Sequence, residues 1–92
     1  MPYFALLCHD KPGALALRQE NRAAHLAYLQ ESGPAVFAAG PLLDDSGQMI
    51  GSLLILARES RDAAEAWAAR DPYARAGLFA SVTLTEWKKV IG

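Results

Sequence analysis

The sequence predicts one small α+β domain in which strands and helices follow the order β-α-β-β-α-β. Three observations carry that expectation. Short apolar runs alternate with segments of helical spacing. Asp, Gly, Ser and Pro punctuate the boundaries between them. The 92 residues have room for one domain and not for two, so residues 1–92 are read as a single unit.

Tyr3 to Cys8 is an unbroken apolar run between Pro2 and His9-Asp10-Lys11-Pro12-Gly13, and reads as the first strand. Leu15 to Glu31 follows as a helix, with Leu15, the Arg22 stem, Leu26 and Leu29 at helical spacing. Gly33-Pro34 is its stop signal. Ala35 to Leu43 and Met49 to Ala57 are the next two strands. The polar connection Asp44-Asp45-Ser46-Gly47 makes them a hairpin. Ser60 caps a second helix, and Asp62 lies in its first turn, where a negative charge suits the helix dipole. That helix runs through Trp67 to about Arg70. Asp71-Pro72 then opens a short helical turn, which Gly77 closes. Leu78 to about Val90 is the last strand, rich in Phe, Val, Thr and Trp.

This order is the split βαβ, ferredoxin-like arrangement: an antiparallel sheet with two helices on one face. The other face of such a sheet is ordinarily polar and wet. Here Tyr3-Phe4-Ala5-Leu6-Leu7-Cys8 is apolar at every position, and Ile50 to Leu56 nearly so. Both faces therefore require cover, and the chain has helix enough for one. A bare apolar sheet would be a large exposed patch. The expectation is a homodimer formed through the apolar sheet face.

Composition narrows the partners. The formal net charge is −1, and no block of Lys or Arg offers a nucleic-acid or anionic-membrane surface. The apolar runs fall far short of the ~20 residues that span a bilayer. The opening Met-Pro-Tyr-Phe lacks a basic segment and does not read as a signal peptide. The single cysteine, Cys8, allows no internal disulfide and no cysteine-based metal site. A cytoplasmic protein with no metal and no cofactor is expected.

His25 is the residue best suited to chemistry, because an imidazole ordinarily titrates near neutral pH. Arg18, Arg22 and His25 share one side of the first helix, three or four residues apart. The plain alternative is a half-exposed histidine on a solvated face. Asp71 before Pro72 is the expected N-cap of the short helix. A carboxylate has two oxygens, so capping leaves it free to hold an imidazole as well. Rough helix lengths put His25 and Asp71 at similar heights on neighbouring helices. Ser52 is the polar residue in an otherwise apolar third strand, and Tyr73 reads as a core ring with one wet end. Cys8 reads as an inert buried thiol.

Several segments together resemble the YCII-related family. They are Arg22-x-x-His25-x-x-Tyr28-Leu29, Gly40-Pro41-Leu42, Gly51-Ser52, Asp71-Pro72-Tyr73-x-x-Ala76-Gly77-Leu78-Phe79 and Trp87-Lys88. The resemblance runs over nearly the whole chain in the same order. It implies a dimeric α+β barrel and a histidine–aspartate active-site pair, which falls on His25 and Asp71. Arg22, Ser52 and Tyr73 are then the candidate substrate-binding groups. The activity it implies is a cofactor-free lyase or isomerase acting on a small organic molecule, by general acid/base elimination of the dehydrochlorinase kind. The competing expectation is a dimeric module that binds a metabolite, or serves an enzyme as accessory, without catalysis.

Overall fold

Each expected element is present in the computed structural model, which covers residues 1–92. The chain forms β1 (Tyr3–Asp10), α1 (Leu15–Ser32), one 3-10 turn (Gly33–Ala35), β2 (Val36–Leu43) and β3 (Met49–Ala57). It continues through α2 (Arg61–Ala69), the short helix α3 (Pro72–Arg75) and β4 (Phe79–Trp87). The sheet order is β2-β3-β1-β4, with every neighbouring pair antiparallel. This is the ferredoxin-like fold.

Local chemistry explains the boundaries. Gly33 ends α1 with φ 55°, a backbone state that costs other residues and not glycine. In the hairpin, Asp44 Oδ1 accepts hydrogen bonds from the backbone N–H groups of Ser46 and Gln48 and from the Ser46 hydroxyl. Those donors, the Ser46 hydroxyl first, pull the Asp44 carboxyl below its ordinary range. Ser60 caps α2 by accepting from the Ala63 N–H at 3.1 Å. Two boundaries differ from the sequence reading. Strand β4 stops at Trp87 rather than near Val90, because Trp87 pairs with Tyr3 and β1 offers no earlier partner. Strand β1 runs on to Asp10, which continues the inward-facing set of Phe4, Leu6 and Cys8.

The core lies between the sheet and the helices. Phe4, Leu6, Cys8, Leu54 and Leu56 point from β1 and β3 onto Ala64 and Trp67 of α2. Tyr28 and Leu29 of α1 pack against the same cluster. The Tyr28 hydroxyl donates to the Trp67 carbonyl at 2.7 Å, and the Trp67 indole donates to Ser32 Oγ at 2.8 Å, so α1 and α2 are also tied by polar contacts. Where β1 and β3 run side by side the backbones are close. A Cβ on Gly51 would lie 2.3 Å from the Cys8 carbonyl oxygen, and that spacing admits only glycine.

The buried stripe of α1 is not the expected one. Its fully buried residues are Arg18 and His25, whereas Leu26 is 38% exposed. The helix is turned so that polar side chains face the sheet, because β1, β3 and α3 supply partners for them. No helix is long and apolar enough to cross a membrane.

Candidate functional site

Arg18 and His25 stand two turns apart on α1, so both project toward the sheet. Arg18 is 2% exposed, and burial alone would make its charge expensive. Asp10, at the end of β1, answers it: Arg18 Nε donates to Oδ2 at 2.7 Å and Nη2 to Oδ1 at 2.9 Å. Nη2 also donates to Ser52 Oγ at 2.9 Å. Burial lowers the Arg18 pKa, but its hydrogen bonds and charge pairing with Asp10 outweigh that, so the guanidinium is held more firmly protonated than usual. Sequence reading placed Arg18 on this side of the helix without a partner. The available signal was Asp10, two residues beyond Cys8 and therefore on the same face of the strand.

His25 is 6% exposed and Asp71 2%. The half-exposed alternative for His25 is therefore wrong: α3 covers it. Asp71 caps α3 and orients the imidazole through one oxygen, since Oδ1 accepts from the Tyr73 N–H at 3.0 Å and pairs with His25 Nδ1 at 2.8 Å. With Nδ1–H donating to the carboxylate, Nε2 becomes the accepting nitrogen, and it carries no protein hydrogen bond.

The ring of Tyr73 stacks on His25, with centroids 3.9 Å apart and planes 15° from parallel. The Arg18 Cζ lies 4.6 Å from the same ring centre. Since Arg18 and His25 are ~10.5 Å apart along α1, they take opposite faces of Tyr73. The ring is a spacer between a permanent cation and an imidazole. Burial pushes the Tyr73 phenol up, against the opposing pull of Arg18 and Arg22.

These groups line a cavity of about 210 Å³. Arg18, Arg22, His25, Ser52 and Tyr73 form its polar wall; Leu26, Leu29, Pro41, Met49 and Leu54 are prominent on the apolar side. Arg22 is exposed at the rim and makes no ion pair within the chain. All five residues singled out from sequence thus meet in or beside one cavity: four line it, and Asp71 stands behind His25. Cys8 is buried beneath the site, where burial raises its thiol to about 12, so it is not a nucleophile near neutral pH. No three His, Cys, Asp or Glu side chains come together as a metal site.

Comparison with known proteins gives a consistent family and fold. The model of the YCII-related domain matches residues 2–88. Protein YciI of Escherichia coli is 37% identical over 95 residues, covering 95% of this chain and 97% of that protein. An uncharacterized protein of Haemophilus influenzae is 35% identical over 96 residues, covering 96% and 98%. Among solved structures, the 5-chloro-2-hydroxyhydroquinone dehydrochlorinase TftG of Burkholderia phenoliruptrix, in complex with 2,5-dihydroxybenzoquinone, superposes with a TM-score of 0.86. It is 39% identical over 94% of this chain and 93% of that one. An antibiotic biosynthesis monooxygenase, 14% identical with a TM-score of 0.61 over 99% of this chain and 100% of that one, shares the fold.

Proposed function

We propose that this chain, which belongs to the YCII-related family, is a small-molecule enzyme in which His25, held by Asp71, moves a proton in an elimination or isomerisation. The observation that carries the reading is the 2.8 Å contact between His25 Nδ1 and Asp71 Oδ1 at the wall of a cavity of about 210 Å³. Asp71 fixes the tautomer and ring angle, as the carboxylate of a catalytic triad does. Nε2 then takes a proton from an acidic carbon or hydroxyl of the substrate. The electron pair left behind either shifts a double bond or expels a leaving group such as chloride, which departs with the bonding pair. Arg22, Ser52 and Tyr73, which line the same cavity, then hold the oxygen on which negative charge grows. Proton transfer of this kind needs no cofactor. The likeness to TftG, whose name describes loss of hydrogen chloride from a hydroxylated ring, supports the elimination branch.

The test is turnover of halogenated hydroxyaromatics and of lactones by wild type, His25→Ala and Asp71→Asn. General acid–base help is worth ~10²–10⁴-fold, so both variants are expected to lose activity on that scale. Equal turnover by all three proteins overturns the dyad. Saturable binding of such compounds by wild type with no conversion of any of them supports the metabolite-binding module instead.

A second copy of the chain is the proposed partner, seated on the sheet face opposite the helices. That face presents Tyr3, Leu7, Phe37, Leu53, Ile55 and Trp87, and none of its strand positions is Asp, Glu, Lys or Arg. Phe37, Leu53 and Trp87 are exposed in the single chain. Sedimentation in dilute solution is expected to give twice the chain mass; a monomer at micromolar concentration overturns the pairing.

A further inference from the structure

The charges around the cavity do not cancel. Two guanidinium groups line it, Arg18 and Arg22, and no carboxylate does. The two acids just behind the wall are already engaged. Asp10 takes both of its short hydrogen bonds from Arg18. Asp71 is shared between His25 Nδ1 and the Tyr73 N–H. That leaves Arg22 as the one cation at the cavity without an anion, since its side chain enters no ion pair in the chain. It lies one turn from Arg18 and one turn from His25 on the same side of α1, so it stands over the opening between them.

The rest of the lining has a different character. Leu26 and Leu29, one turn beyond Arg22 and His25 on α1, and Pro41 and Met49 from the β2–β3 hairpin make it apolar. The space of about 210 Å³ is larger than the ~150 Å³ that holds one benzene ring. It is smaller than the ~300 Å³ at which drug-sized sites begin.

We infer that the cavity selects a small organic monoanion about the size of one substituted ring, with the anionic group on Arg22 and the apolar body against Leu26, Leu29, Pro41 and Met49. This names the substrate class for the site proposed above and rests on the cavity being the substrate site. Planar carboxylates suit the guanidinium fork, which offers two parallel donors. A dianion would leave one charge unanswered, and a neutral ring would leave Arg22 unpaired.

Benzoate and benzamide test it, because they share ring and size and differ in charge. Each is titrated into the full chain and followed by amide chemical shifts, so that affinity and location are read together. Benzoate should bind saturably, moving amides of α1 around Arg22 and Leu26, and about tenfold more tightly than benzamide. Arg22→Gln should bring the two affinities together, and Arg22→Lys should restore part of the preference. Equal affinity of wild type for the two compounds overturns the inference, as does a benzoate preference that survives Arg22→Gln or maps to another surface. Arg22 is exposed, so its replacement leaves the core intact, and the wild-type comparison decides even without the variant. Binding is read without turnover, which separates the two proposals. An Arg22-dependent benzoate preference in a protein that converts nothing upholds this inference while removing the catalytic dyad. Turnover that depends on His25, with equal affinity for benzoate and benzamide, does the reverse.

Discussion

The two faces of the sheet depart from the usual arrangement in opposite ways. The face covered by helices buries charged and polar side chains, Arg18, His25, Ser52 and Asp71 among them. The uncovered face is free of charged strand residues and mostly apolar on β1, β2 and β3, with Leu53 and Phe37 open to water. On the covered face each buried polar residue has a partner within the chain, and no buried side-chain nitrogen or oxygen is left without one. That satisfaction makes burial tolerable and holds the groups in one geometry. On the open face no partner exists within the chain. Polar burial with internal partners is what supports the proposed site, and apolar exposure without them is what supports the proposed pairing of two chains.

The sharpest way to break this contrast is to remove one partner from the covered face. Arg18→Met leaves Asp10 buried and unpaired, and is expected to cost ~3–5 kcal/mol of unfolding free energy in urea titration. A loss under 1 kcal/mol would mean that Asp10 is hydrated and the network is not closed. The next comparison sets one leucine of β3 against its neighbour on the other face. Leu56 is 0% exposed, and Leu56→Ala should cost ~2–5 kcal/mol at any protein concentration. Leu53 is 40% exposed, and Leu53→Glu should act instead on association, giving a monomer by sedimentation where the proposed pairing has wild type sediment as a dimer. If Leu53→Glu leaves the sedimentation profile unchanged, the open face is not the interface.

The smallest effect concerns Cys8, which separates core from site. Burial raises its folded-state pKa from 9.0 to about 12. At pH 8 the native thiol is un-ionised and should react with maleimide far more slowly than the urea-unfolded chain. Its folded pKa lies above the unfolded value, so its contribution to stability is full below pH 9 and fades as pH rises toward 12. Labelling as fast in native as in unfolded protein would place Cys8 at the cavity surface.

Much of this was legible residue by residue. The third strand, Met49–Ala57, has the bounds its apolar run and flanking turn indicate. Asp71-Pro72 announced a cap, and the cap is there. The first helix was harder, because Leu15, Leu26 and Leu29 suggest an apolar inner stripe. In the folded chain Leu29 does pack against the core, but the fully buried places are taken by Arg18 and His25, and Leu26 serves the cavity wall. Hydrophobic spacing cannot anticipate a buried polar stripe, since the groups that satisfy it lie 8, 34 and 46 residues away along the chain. Tyr73 carries the same lesson: nothing in its neighbours announces a ring set between a guanidinium and an imidazole.

The sequence by itself determined the order of elements, the hairpin, the caps and the doubly apolar strands, because those depend on neighbours within one or two turns of chain. Only the tertiary structure decided which way α1 faces, that Asp10 answers Arg18, and that one oxygen of Asp71 serves both cap and imidazole. These outcomes depend on distances of a few ångströms between groups remote in sequence, where the cost of an unpaired buried charge selects the arrangement.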